Sequence, residues 1–204
     1  MKNLIYLGLG SNIGNRAENI ISALSFLQSS GFVKINKISN FYETSPVGPK
    51  QRDFYNIAAK AKTSLKPHDL LFLVKKAEEI LGRKPSKRLA KRLIDIDILF
   101  YNDEITAGIG SGFRRNGKAK AAIAKAKAPK QSKVPAANSA FRSPLFALPL
   151  TIPHKEVCRR LFVLIPMAEI APDYIHPVLN RKIKHILKSK LLTPCNQKVR
   201  IVSE

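Results

Sequence analysis

Arg92-Leu-Ile-Asp-Ile-Asp-Ile-Leu-Phe100 decides how this chain is read, because Ile94, Ile96 and Ile98 alternate there with Asp95 and Asp97. Alternation with period two belongs to a β-strand, so the isoleucines share one face and the two carboxylates share the other. Two residues of strand span roughly 6.6 Å, and two bare carboxylates at that separation repel by about 2.5 kcal/mol at an effective dielectric of ~20. A hard divalent cation relieves the repulsion: Mg²⁺ takes one or two carboxylates plus phosphate oxygens and keeps water in the rest of its shell. The bland alternative is two acids on a solvated sheet face. Asp is depleted in strands, which weighs against it. A run of cations, Arg83, Lys84, Lys87, Arg88, Lys91 and Arg92, also precedes the strand. It is either a disordered basic loop or, beside metal-binding carboxylates, the guanidinium supply that a nucleoside triphosphate needs.

The totals bound the remaining choices. With 204 residues, 45% of them hydrophobic, the chain has material for one domain with an appendage. A formal net charge of +22 points to polyanionic partners, whether nucleic acid, an anionic membrane surface or phosphorylated small molecules. Cys158 and Cys195 form neither a disulfide framework nor a metal-ligand spacing, so a reducing compartment is expected. The apolar start is broken by Gly8, Gly10, Ser11 and Asn12, unlike a signal peptide, and no stretch approaches the ~20 apolar residues of a membrane span. These readings predict a soluble, cytoplasmic protein with no membrane association.

Taken in order, Leu4 to Leu9 reads as a buried strand, turned into a helix by Gly8-Leu-Gly-Ser-Asn-Ile-Gly14. Asn15 and Glu18 form a capping box, and Ala17, Ile20, Ile21, Leu24 and Leu27 recur at helical spacing before Gly31. The glycines are not a dinucleotide fingerprint, since Ile13 stands where the third is required, and no Gly-Lys-Ser/Thr follows. Phe32 to Tyr42 is a second strand with a bulge at its phase shift, Ser45-Pro-Val-Gly-Pro49 a rigid loop, and Asn56 to Thr63 a third, antiparallel strand. Pro67 opens a second helix with Leu70, Leu71, Val74, Ala77, Ile80 and Leu81 inward and Gly82 at its end. The order βαββαβ predicts an α+β, ferredoxin-like sandwich: an antiparallel sheet with both helices on one face.

Residues 107–147 carry many lysines and arginines, no acid and no apolar face, and read as a disordered basic low-complexity insertion in a single domain over 1–204. Beyond it, Val157, Leu161, Leu164, Ile165 and Ala168 trace one helix face, and Ile183, Ile186 and Leu187 a second, a C-terminal helical extension.

Several groups of residues together resemble one family, the 6-hydroxymethyl-7,8-dihydropterin pyrophosphokinases of folate synthesis. They are Gly10-Ser-Asn-Ile-Gly14, Tyr42-Glu-Thr-Ser-Pro-Val-Gly-Pro49, Asp53-Phe-Tyr-Asn56, Glu78 with Gly82-Arg83, the Arg92 to Leu99 strand, Ile152-Pro-His154 and Arg160 to Pro172. The resemblance implies transfer of pyrophosphate from ATP to the hydroxymethyl group of the pterin, with release of AMP, by a monomer. It implies two Mg²⁺ on Asp95 and Asp97, with Arg83 and Arg92 sharing the catalytic work. The pterin is expected between Phe54 and Phe162 and edge-bonded by Thr44, the Val47 backbone and Asn56. The nucleotide is expected against Leu71, Lys75, Glu78, Arg83, Arg92, Ile98, Thr151, His154 and Arg160. One departure is plain: the family's basic loop commonly ends Arg-Trp-Gly-Pro-Arg, whereas this chain has Arg88-Leu-Ala-Lys-Arg92.

Two other readings fit parts of the chain. A basic βαββαβ domain with Phe54-Tyr55 opening its third strand also describes an RNA-binding module, although the Lys/Arg-Gly-Phe-Gly-Phe pattern is missing and Asp95 and Asp97 would repel phosphate. A metabolically inert scaffold whose basic insertion recruits a partner is the other, and the insertion is also expected to make weak, nonspecific contact with polyanions.

Overall fold

The computed structural model describes residues 1–83, 90–106, 149–193 and 197–202. β1 (Asn3–Ser11) runs through the middle of the sheet because both its edges are used. It pairs antiparallel with β4 (Phe54–Thr63) on one side and β5 (Asp95–Tyr101) on the other. The far edge of β4 carries two short strands end to end, β2 (Val33–Ile38) and β3 (Tyr42–Thr44). A C-terminal strand, β8 (Val199–Ile201), which the sequence reading missed, pairs with β3.

The expected strand over Phe32 to Tyr42 is therefore two strands. Ser39 exchanges bonds with Ala58, its N–H donating at 2.9 Å and its Oγ accepting at 3.0 Å. Asn40 then turns its own N–H and side-chain amide toward Glu169, which takes it out of the ladder. The expected bulge is present, with register slipping between Ile35 and Lys37. β4 begins two residues earlier than expected, at Phe54. Gly8 and Gly10 lie inside β1, and the turn into the helix falls to Gly14, which sits at φ 62°.

α1 (Arg16–Ser29) opens on the capping box: Asn15 Oδ1 accepts the Glu18 N–H, and Asn15 Nδ2 donates to the Glu18 carboxylate. Ile20, Ala23 and Leu27 point inward, while Ile21, about 100° further round the helix, is exposed. α2 (Pro67–Ile80) buries Leu70, Val74, Ala77 and Glu78; Ile80, expected inward, is exposed. Both helices cover the isoleucine side of the sheet, against Ile5, Leu7, Leu9, Ile57, Ile96 and Ile98.

The opposite face is covered as well. α3 (Leu161–Ile170) and α4 (Ile183–Leu191) pack Leu164, Met167, Ile183 and Ile186 on Tyr6, Ala58, Leu99 and Phe100. Leu99 and Phe100 share that face because the β1–β5 register slips at Tyr6/Leu7 and leaves Leu99 without an opposite number. Val157 precedes α3 instead of joining it. The stretch before α4 is not helical either, since β6 (Ile175–His176) and β7 (Arg181–Lys182) form a hairpin there. Among the described residues the architecture is thus a mixed α/β fold with an antiparallel sheet and four helices. None of those helices is long and apolar enough to cross a membrane.

Thr106 and Ile152 exchange two backbone bonds, 2.8 and 3.1 Å, which hold the chain together on either side of residues 107–148. The insertion expected over 107–147 lies outside the described residues, as do residues 84–89 of the basic run.

His176 stacks edge-on to Phe100 at 5.4 Å and accepts the Val178 and Leu179 N–H groups at Nδ1. Burial lowers its pKa from 6.5 to about 4. Between those values the unfolded chain takes up a proton that the folded chain refuses, so this contribution to stability is full above about pH 6.5 and is lost as pH falls toward 4. His176→Asn keeps an acceptor for the hairpin without the titration. Urea unfolding at about pH 7 and about pH 4.5 should show the parent losing about 2 kcal/mol more than the variant.

Candidate active site

The β1 register sets Gly8 opposite Asp97 and Ala58, and Gly10 opposite Asp95 and Asn56. These residues share the sheet face turned away from α1 and α2. With no side chains on Gly8 and Gly10, the strip between the carboxylates and Asn56 stays bare. A Cβ on Gly10 would come within 2.8 Å of Asn56 Oδ1, and one on Gly8 within 3.2 Å of Leu99. A cavity of about 280 Å³ lies over this floor. Its walls come from separate elements: Thr44 and Val47 from β3 and the loop after it, Phe54 and Asn56 from β4, and Lys75 from α2. Arg160 caps α3 and Phe162 lies in its first turn.

Of the residues expected in the site, Arg83, Arg92, Asp95, Asp97, Thr44, Val47, Phe54, Asn56, Phe162, Lys75, His154 and Arg160 line this one cavity. Asn56 Nδ2 donates to Thr44 Oγ1 at 2.7 Å with both residues buried, leaving the Asn56 carbonyl beside Gly10. Four expected nucleotide contacts do not line it. Ile98 has the parity of Ile96, so its side chain packs in the core beneath the sheet, and Leu71 packs against the same core. Thr151 is half-buried off the cavity. Glu78 is buried one layer behind and reaches the cavity only through its partners.

Those partners organise the charge. Glu78 pairs with Arg83, binds Lys75 Nζ at 3.0 Å, and accepts the Ile96 N–H at 2.7 Å. Burial raises the Glu78 pKa, against the opposing pull of Lys75 and Arg83. Arg83 also reaches Asp95 at 2.8 Å, and Arg92 reaches it at 2.9 Å. Asp97 faces the His154 imidazole, Nε2 lying 3.9 Å away. His154 Nδ1 accepts the Glu156 N–H, which leaves the ring proton on Nε2, toward Asp97. Burial lowers the His154 pKa; Arg160 assists and Asp97 opposes. No group of three or more His, Cys, Asp or Glu gathers among the described residues. Two carboxylates on one strand face instead suit a hard cation that takes the rest of its shell from phosphate and water.

The sequence reading missed the role of Gly8 and Gly10, although a signal was present: two glycines at period two inside an apolar strand mark a close approach to the backbone. It also assigned no role to Gln51, which lines the cavity.

A family model for 7,8-dihydro-6-hydroxymethylpterin-pyrophosphokinase matches residues 6–172. A 2-amino-4-hydroxy-6-hydroxymethyldihydropteridine pyrophosphokinase of Aquifex aeolicus is 34% identical over 191 residues, covering 93% of this chain and 94% of the relative. A Bacillus subtilis protein of the same name is 33% identical, covering 83% of this chain and 79% of the relative. The solved wild-type HPPK-DHPS of Plasmodium falciparum is similar in fold, with a TM-score of 0.62 at 20% identity over 92% of this chain. This chain spans 44% of that longer one.

Removing the Glu78 carboxylate leaves Lys75 and Arg83 facing each other and the Ile96 N–H without its acceptor. Glu78→Ala is expected to cost about 3 kcal/mol of stability in chemical denaturation. Glu78→Gln, which still accepts from Ile96, should recover part of it.

Proposed function

The chain belongs to the 7,8-dihydro-6-hydroxymethylpterin-pyrophosphokinase family, and from that membership we propose how its own residues carry the reaction. The enzyme transfers pyrophosphate from ATP to the hydroxymethyl group of 6-hydroxymethyl-7,8-dihydropterin in folate biosynthesis, releasing AMP. The observation that carries the assignment of roles is the single cavity joining Asn56, Phe54 and Phe162 to Asp95, Asp97, Arg83 and Arg92.

In this reading the pterin occupies the end nearer β3 and β4. Phe54 and Phe162 supply aromatic faces, and the Thr44–Asn56 pair and the Val47 backbone meet the heterocycle's polar edge. The triphosphate lies across the glycine floor toward Arg83, Arg92, His154 and Arg160, with Lys75 beside it. Two Mg²⁺ ions held by Asp95 and Asp97 would supply charge neutralisation to the triphosphate. The pterin hydroxyl oxygen bonds to the β-phosphorus as the bond from that phosphorus to the α,β-bridging oxygen breaks; AMP departs with the bond's electron pair, and the hydroxyl proton passes to water. Arginines fixed by Glu78 and Asp95 stabilise the charge on the transferred group without having to reorganise. The strand order β5-β1-β4, with β2 and β3 on the outer edge of β4, supports a ferredoxin-like core. A cytoplasmic location accords with the low cysteine content, two residues in 204, and a monomer is what the family resemblance implies.

An RNA-binding role is not favoured. Such a module stacks bases on an open sheet face; here α3 and α4 cover that face outside the cleft, and Tyr55 lies on the other side beneath Arg16, whose guanidinium is 3.6 Å from the ring centroid.

Asp97→Ala should abolish Mg²⁺-dependent transfer while leaving the melting temperature unchanged or higher, because a repelling charge is gone. Turnover equal to the parent's at ordinary Mg²⁺ would remove Asp97 from the site. Phe54→Ala should weaken pterin binding by ~1–3 kcal/mol and leave the affinity for an ATP analogue nearly unchanged, as calorimetry can resolve.

We also propose that residues 107–147 are an insertion dispensable for transfer, since the Thr106–Ile152 bridge already joins the chain on both sides of it. A short Gly/Ser replacement should keep turnover and melting temperature and reduce salt-sensitive retention on polyanions. Lost turnover with an intact fold would instead make the segment part of the active cleft.

A further inference from the structure

The C-terminal strand β8 lies beyond residue 172, the last that the family model matches, and with the two residues before it touches both walls of the aromatic end of the cleft. On one side it extends the sheet past β3, with Thr44 opposite Val199 and Tyr42 opposite Ile201. The contact continues beyond Thr44: Ser45 donates its N–H to the Lys198 carbonyl at 3.1 Å, and the Lys198 N–H donates to Ser45 Oγ at 3.1 Å. Thr44 and Ser45 both line the cavity. On the other side, Gln197 Oε1 accepts the N–H of Leu161, the first residue of α3, at 2.9 Å. Two consecutive residues, Gln197 and Lys198, thus tie the β3 wall to the helix that carries Phe162.

α3 depends on that bond because its own first turn is weakly closed. The first N–H groups of a helix have no partner within it, and Arg160, at the capping position, makes no side-chain capping bond. Pro166, inside the helix, has no N–H to give to the carbonyl four residues back, which is that of Phe162. The turn that presents Phe162 therefore lacks a local cap and a helix bond at its own carbonyl, and Gln197 supplies an acceptor from 36 residues away. The Arg160 side chain is oriented separately, lying 4.0 Å from the Glu156 carboxylate. From this we infer that Gln197 is a positioning residue for the pterin slot: it fixes the spacing between the β3 wall and Phe162, and so sets the affinity for the pterin. The inference rests on the proposed placement of the pterin.

Variants at this one position test it. Gln197→Ala removes the acceptor. Gln197→Met removes it while keeping the bulk of the side chain, and serves if Gln197→Ala does not fold. Gln197→Glu restores an acceptor at the same reach, on a carboxylate that a helix N-terminus favours. Titration calorimetry gives the dissociation constant of 6-hydroxymethyl-7,8-dihydropterin in the presence of a non-hydrolysable ATP analogue and Mg²⁺, and that of the analogue alone; initial rates give KM and kcat.

The pterin dissociation constant should rise about fivefold in Gln197→Ala and Gln197→Met, the effect of losing one hydrogen bond, and return close to the parental value in Gln197→Glu. The KM for pterin should follow it, while kcat at saturating pterin and the affinity for the analogue alone stay parental. A purely structural role would lower the melting temperature and leave the pterin dissociation constant unchanged, and that result overturns the inference. So does an equal loss of affinity for pterin and analogue, or a Gln197→Glu protein that binds pterin as weakly as Gln197→Ala. A parent protein that binds the analogue and not the pterin would instead overturn the placement of the pterin.

Discussion

Two carboxylates two residues apart on one strand face, set opposite two glycines of the neighbouring strand, are the constraint on which the rest depends. Asp95 and Asp97 cannot pack into a core, and Gly8 and Gly10 leave nothing beside them to pack. The sheet must therefore keep that strip open while its isoleucine face is sealed by α1 and α2. α3 covers the remainder of the same face, and its first turn brings Arg160 and Phe162 to the rim of the opening instead of across it. The cleft is the part of the sheet where burial would have required taking two carboxylates out of water.

The cations answer that charge in two layers. Arg83 and Arg92 meet Asp95 directly, while Glu78 stands behind them, held by burial among apolar neighbours and fixed to the β5 backbone through the Ile96 N–H. Arg83 is shared between a buried acid that holds it and an open acid that a cation could take from it. A guanidinium held at Nη1 by two carboxylates loses little further freedom when an anion meets it. Asn12 extends the same logic to the backbone, since its Oδ1 accepts the N–H of Arg92, one of the two arginines that meet Asp95.

What covers the second face explains where sequence reasoning fell short. Period-two and 3.6-residue patterns reveal which residues of an element share a side, and they place β1, α1, α2 and the two aspartates correctly. They say nothing of a side chain that leaves the pattern for a distant partner. Asn40 breaks the second strand because Glu169, far along the chain, accepts its N–H. Glu78 sits at an inward position that an apolar residue would normally hold, because Lys75, Arg83 and the Ile96 N–H meet it there. The short hairpin before α4 and the strand β8 carry too few residues for any periodicity to register.

The sequence by itself determined the face of Asp95 and Asp97, the capping box at Asn15, the helix start at Pro67 and, through motifs in a fixed order, the family. The first three are local: they depend on residues within a turn or two of one another, whose geometry the backbone repeats dictate. Tertiary structure alone decided that Gly8 and Gly10 form a floor and that Asn12 joins its two ends, through bonds to Gln51 and to the Arg92 backbone. Those outcomes rest on strand register and on hydrogen bonds between residues tens of positions apart, and the pairing of strands is set by packing the whole sheet, not by any one stretch of it.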